Sequence, residues 1–201
     1  MKLTSEKALE LLNEARGMAE SDYWIEHSIC VGNTAAVIAK ALNLDEDMAK
    51  ALGYIHDIGK RNGVGRGSDV VPHGIGGYEY LLSIGVGEEY ANICLTHSYL
   101  NNDINCVAGG IPNKDRYKYE FVRDFIKKHE YTVLEKLINL CDLMCFQETM
   151  TMEKRLINLA LRYGVFSNTV YHLTEAQKLK QYFDDMLGYN LYKLFPEILY
   201  N

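Results

Sequence analysis

The decapeptide Ala51-Leu-Gly-Tyr-Ile-His-Asp-Ile-Gly-Lys60 limits what this chain can fold into more than any other stretch. It begins as an apolar helical run and ends with an imidazole and a carboxylate side by side, His56 and Asp57. Two adjacent polar groups at the end of a buried helix must be paired, hydrogen-bonded or metal-bound, because leaving them unsatisfied costs several kcal/mol. The rest of the chain therefore has to bring partners to that point.

It does so on a helical background. Only 3 prolines occur in 201 residues, and Leu, Ala, Glu, Lys and Met recur in long periodic segments. That balance predicts an all-α fold. A first helix is expected over about residues 5–19, capped by Thr4 or Ser5, with Ala8, Leu11, Leu12 and Ala15 as its apolar stripe. Ser21 and Asp22 offer a cap for a second helix reaching Leu42, whose inner face carries Trp24, His27, Val31, Ala35 and Ile38. Asp45, Glu46 and Asp47 open a third, where acidic residues suit the positive end of the helix dipole. This helix delivers His56 and Asp57.

Residues 59–72 hold four glycines without apolar periodicity and read as a loop. Structure resumes at Pro72-His73-Gly74, and a fifth helix from Glu88 to about Leu100 carries His97. A second loop spans about residues 101–115 and a helix follows over 117–128. A long helix over 132–149 places Asp142 among Leu137, Ile138, Leu140, Cys141 and Leu143. Helices over 152–163 and 174–187 and a short aromatic tail complete the chain. Residues 1–150 form the metal-binding helical part and 151–201 pack on it, with the one candidate break at residues 164–168. The helices beyond that break cap the bundle or form a homo-oligomer contact.

Six residues stand at inner faces or ends of five of these helices, in the order His27, His56-Asp57, His73, His97, Asp142. Imidazole and carboxylate together suit Fe, Mn, Zn, Co or Ni, whereas Mg and Ca prefer all-oxygen shells. Asp57 has two oxygens and can bridge two metals, and a single metal would leave His73 and His97 without a role. The order and the motifs Tyr54-Ile-His-Asp-Ile-Gly-Lys60, Pro72-His-Gly-Ile-Gly-Gly77, Thr96-His97 and Asn139-Leu-Cys-Asp142 resemble the HD superfamily of metal-dependent phosphohydrolases. The resemblance spans about residues 22–149. It implies a helical bundle with a central metal site, where His27, His56, Asp57 and Asp142 hold one metal and His73 and His97 a second. It implies a water, activated by the metals and oriented by Asp57, attacking the phosphorus of a nucleotide or nucleotide-like substrate.

Phosphate chemistry needs local positive charge, and the chain is acidic overall at a formal net charge of -6. Lys60, Arg61 and Arg66, directly after the doublet, supply it in a glycine-rich loop. Lys60 also stands ready to neutralise charge developing on the reacting phosphate. The segment is no Walker loop, since Gly59-Lys60 is followed by Arg61 where Ser or Thr is required. Branch signatures narrow the substrate no further. The residues after Asp142, Leu-Met-Cys-Phe-Gln147, lack the Glu and Arg of diadenosine tetraphosphate hydrolases. The Gly-Tyr-Pro signature and paired histidines of cyclic-di-GMP phosphodiesterases are missing, as is the Glu-Asp pair of guanosine tetraphosphate hydrolases. Two other activities fit the same ligand set: a non-catalytic nucleotide or metal sensor, and a di-iron oxygenase of the same fold.

The remaining polar residues invite structural roles. His129 sits at a helix C-terminus, where a cation is favoured; His172 has no supporting neighbours, and Cys141 and Cys145 read as packed thiols. Tyr99 and Tyr117 border loops that can line a cleft. The acidic balance argues against a nucleic-acid polymer as partner. Five scattered cysteines without a Cys-x-x-Cys pair, an amphipathic N-terminal segment and no apolar run of about 20 residues point to a reduced, cytoplasmic protein off the membrane.

Overall fold

In the computed structural model, residues 2–63 and 71–199 are described. Arg66 lies outside them. The chain is all-α: among the described residues there are nine α-helices and no strand, only an isolated bridge between Cys145 and Thr149. The helices are α1 (Ser5–Glu14), α2 (Tyr23–Ala41), α3 (Glu46–Ile55), α4 (His73–Ser83), α5 (Glu88–Thr96), α6 (Tyr119–Lys128), α7 (Val133–Asp142), α8 (Met152–Tyr163) and α9 (Thr169–Leu187). Short 3-10 turns occupy Ile58–Asn62, Leu191–Leu194 and Pro196–Leu199.

Where the chain carries a usable cap, the helix starts there. Thr4 accepts from Lys7 N, Asp45 from Met48 N and Thr151 from Lys154 N. Thr132 and Glu135 form a full capping box at the start of α7. Asp22 precedes α2 but does not cap it. Its carboxylate takes the amide of Gly17 at 3.0 Å instead, folding the preceding turn back onto the helix start.

The middle of the bundle is α2 and α3, packed on each other and on α7. They approach backbone to backbone at Gly32 and Gly53: a Cβ on Gly53 would lie 2.4 Å from the Cα of Gly32. The stripe Trp24, His27, Val31, Ala35 and Ile38 faces inward, all of it buried. A second close approach ties the doublet to the next helix. A Cβ on Gly59 would lie 1.9 Å from the His73 carbonyl oxygen, so the turn after Asp57 packs directly on the first turn of α4.

Several helix ends depart from sequence expectation, two of them where a tertiary hydrogen bond takes over. The first helix ends at Glu14, not near residue 19, with Gly17 in a left-handed conformation at φ 73°. Residues 58–62 form a 3-10 turn where a loop was expected from Gly59. Helix α5 ends at Thr96 instead of running to Leu100, because buried Asn139 on α7 donates its amide to the carbonyls of Thr96, His97 and Tyr99. Helix α7 stops at Asp142, seven residues short of the expected 149, and the chain turns through the Cys145–Thr149 bridge. The last long helix starts at Thr169, five residues before Thr174. Asn168 there anchors the chain by donating to the carbonyls of Asn105 and Val107, and α9 packs against α7.

Asn139 offers a direct test of this locking. In Asn139→Ala the terminal carbonyls of α5 lose their donor in a buried setting, an expected loss of about 2–3 kcal/mol. Urea unfolding would register it as a lower midpoint at unchanged slope. An unchanged midpoint would mean that water replaces the amide there.

Candidate metal centre

All six residues selected from the sequence as candidate ligands meet at one place. His27 arrives from the inner stripe of α2, His56 caps the end of α3, and Asp57 begins the 3-10 turn. His73 is the first residue of α4, His97 ends α5, and Asp142 is the last residue of α7. The centre is thus built mostly from helix ends, where a side chain can turn inward without breaking a helix ladder. Three overlapping triads, His27–His56–Asp57, His56–His97–Asp142 and Asp57–His73–His97, bring their ligand atoms within 4.8 Å of one another.

The Asp57 carboxylate stands between two sets of imidazoles. Its Oδ2 lies 3.4 Å from His56 Nε2 and 3.9 Å from His27 Nε2. Its Oδ1 lies 3.4 Å from His73 Nε2 and 3.5 Å from His97 Nε2. Asp142 Oδ1 is 2.9 Å from His27 Nε2. His73 and His97 face each other through their Nε2 atoms at 3.3 Å.

Backbone carbonyls fix which ring nitrogen carries the proton. His27 Nδ1 is 3.2 Å from the Phe146 carbonyl, His56 Nδ1 2.7 Å from that of Gly53, and His97 Nδ1 3.0 Å from that of Ile93. A carbonyl can only accept, so each Nδ1 donates, and in the neutral ring Nε2 keeps its lone pair toward Asp57. This carbonyl–imidazole support is how metal-ligating histidines are oriented.

Charge is concentrated here at the expense of solvation. Burial raises the carboxyl of Asp57, yet the Lys60 ammonium and His56 hold it well below the usual carboxylate range. Burial also opposes ionisation of Asp142, and the His27 hydrogen bond reverses that, keeping the acid ionised. Burial lowers His27 and so favours its neutral, ligating form, against the pull of Asp142. For His56 burial is outweighed by the Asp57 carboxylate, and its affinity for a proton is raised. Burial lowers His73, although about a third of its side chain, 32%, is open to the cleft.

Two buried atoms, His56 Nε2 and Asp57 Oδ1, have no hydrogen-bond partner. Leaving such atoms unsatisfied costs about 1–3 kcal/mol each. Lone pairs from four imidazoles and two carboxylates aimed at one space are what a transition metal satisfies. The residues fit a metal.

The loop cations separate. Lys60 rests its ammonium on Asp57 Oδ2 and lines the cleft. Arg61 turns the other way, its guanidinium 4.0 Å from the centre of the Tyr80 ring and 3.3 Å from Met18 Sδ. His129 pairs with Glu135 at 2.8 Å, away from the candidate metal ligands. All five cysteines are buried free thiols.

The centre opens into a cleft of about 1020 Å³. A smaller pocket of about 320 Å³, lined by Tyr99, Tyr117 and Tyr119, adjoins His73 and His97. Sequence reasoning missed several cleft residues. Arg116 comes from the loop before α6, Arg155 and Arg162 from α8, and His172 from α9. The 155, 159, 162 spacing marks one face of a helix. Which way that face turns is decided only by how α8 packs.

The HD-domain family model matches residues 24–160, more than half the chain, and the chain belongs to the HD domain family. Members of this family are typically metal-dependent phosphohydrolases. Among solved structures, one that it resembles is the HD domain of the phosphodiesterase PgpH from L. monocytogenes. The two are 15% identical with a TM-score of 0.46, and the match covers 90% of this chain and 95% of that one. A comparison with curated protein sequences finds no match. Among the described residues no helix is long and apolar enough to cross a membrane.

Proposed function

We infer that this chain is a dinuclear-metal phosphohydrolase acting on a nucleotide or nucleotide-like phosphoester or phosphoanhydride. The observation that carries the reading is the division of Asp57 between two histidine pairs, Oδ2 toward His27 and His56 and Oδ1 toward His73 and His97. One metal would be held by His27, His56, Asp142 and Asp57, the other by His73, His97 and the second oxygen of Asp57. Of the metals this donor set accepts, Fe, Mn, Zn, Co and Ni all remain compatible. Such a metal pair supplies Lewis acidity and lowers the pKa of a water enough to make it a nucleophile near neutral pH.

The protein's own groups do the rest. Asp57 fixes the spacing of the two halves of the site and orients the attacking water. Lys60, which neutralises Asp57 when no other cation does, is released toward the substrate once that charge is met. It then holds a phosphate oxygen and offsets charge developing in the transition state. His73, being partly exposed, is the ligand on the substrate side.

Metal stoichiometry tests this assignment. Elemental analysis of protein purified without chelator is expected to give close to two metals per chain. His73→Ala should lower that to about one and leave the fold intact, since the residue is partly exposed. Two metals retained in the variant would remove His73 from the site.

A further inference from the structure

The cleft is far more cationic than the protein that contains it. Apart from Asp57 and Asp142, its charged lining consists of Lys60, Arg116, Arg155 and Arg162, in a chain of net charge -6. Several arginines and lysines outside the cleft are paired: Arg16 with Glu26, Arg123 with Glu120 and Asp124, Lys118 with Glu79. Among the described residues no carboxylate lies within ion-pair distance of Arg116, Arg155 or Arg162. Unpaired guanidinium groups gathered in one cavity are an anion site.

Two of them are also positioned. Arg155 and Arg162 are seven residues apart on α8, on the face that Leu159 shares, and all three line the cleft. The Arg155 guanidinium sits 5.5 Å from the centre of the Phe146 ring. Phe146 is the residue whose carbonyl takes the Nδ1 proton of His27, so Arg155 is packed against the support of a metal ligand. The Nε of Arg155 is buried and has no hydrogen-bond partner. Arg162 lies over Tyr163, 5.3 Å from the ring centre. Each guanidinium thus has an aromatic ring beside it that limits its freedom, while its side chain lines the cleft.

We propose that Arg155 and Arg162 form a second anion subsite, which takes a phosphate group of the substrate distal to the bond being cleaved. It selects compounds bearing two or more phosphates over simple monoesters. The proposal rests on the phosphohydrolase reading for its substrate but not for its anion, because guanidinium forks bind a polyphosphate whether or not hydrolysis follows.

The test separates the two. Binding of inorganic tripolyphosphate to the 201-residue chain, as purified and after metal removal, is followed by titration calorimetry. Wild type binds in both states, and R155Q/R162Q weakens the dissociation constant at least tenfold in both. R155K keeps the charge and the stem but loses the fork, and falls between them with the wild-type melting temperature. In turnover, the ratio of kcat/KM for a nucleoside triphosphate to that for p-nitrophenyl phosphate falls at least tenfold in the double variant, through KM. No binding by wild type, or equal dissociation constants in wild type and double variant, overturns the subsite. An unchanged ratio in an active enzyme overturns it too, and leaves the hydrolase intact. Weakened binding with no phosphoester turnover in wild type supports the subsite and removes the hydrolase.

Discussion

Asp57→Asn abolishes metal binding at both positions, with metal content falling from about two per chain to near zero. Phosphoester turnover falls on the order of 10³-fold, the equivalent of about 4 kcal/mol of lost transition-state stabilisation. The expectation follows from geometry: among the described residues Asp57 is the carboxylate within 4 Å of all four imidazoles. The amide keeps the shape of the carboxylate, so the loss is of charge and of one acceptor, not of packing. Asp57→Ala should cost more in stability, about 3 kcal/mol in the metal-free protein. It leaves Lys60 and His56 without the buried carboxylate that compensates them. Elemental analysis and urea unfolding on the same preparations separate the two effects. A variant that still carried one metal would show that His27, His56 and Asp142 suffice without the bridge.

Gly59→Ala should be the most damaging single methyl group near the site. Its Cβ would fall 1.9 Å from the His73 carbonyl oxygen and 2.4 Å from the Gly77 amide nitrogen, both backbone atoms that cannot swing aside. Helix α4 has to retreat, at a cost on the order of 3 kcal/mol. The melting temperature should fall by about 6–12 °C. His73 leads α4 and moves with it, so the second metal is expected to be lost as well. Gly76→Ala is the control in the same helix. Its nearest neighbours would stand at 3.6 Å or beyond, ordinary contact distances. Relief of glycine's helix penalty then makes that variant neutral or up to about 1 kcal/mol more stable. Equal melting curves for the two variants would refute the close approach of the turn to α4.

The residues that converge in the cluster were legible in the sequence because most of them obey a local rule. His27 falls on the apolar period of α2, and His56 and Asp57 end an apolar run. His73 follows a helix-starting proline, and Asp142 would be costly in α7 without a partner. The end of α5 and the start of α9 were not legible, because the amides of Asn139 and Asn168 bond distant carbonyls there. Helix α7 ends where the chain turns into the Cys145–Thr149 bridge. Asn139 reads as one polar residue in an apolar helix until it is seen closing α5. Arg61 was misleading for a similar reason. Proximity to the doublet in sequence suggests the cleft, while the 3-10 turn rotates it onto Tyr80. Conversely, Arg155, Arg162 and His172 lie far from the ligands in sequence and reach the cleft only through the packing of the C-terminal helices. His172 is buried there, although nothing adjacent to it in the chain signals a site.

The most direct test of the account is turnover. Protein reloaded with Mn or Fe to two metals per chain is given a panel of nucleoside di- and triphosphates, cyclic and linear dinucleotides and p-nitrophenyl phosphate. Product formation is followed before and after chelation. The account predicts hydrolysis of at least one nucleotide, lost on chelation and restored by metal. A fully loaded protein that turns over none of them would contradict the hydrolase and leave the centre as a binding or sensing site.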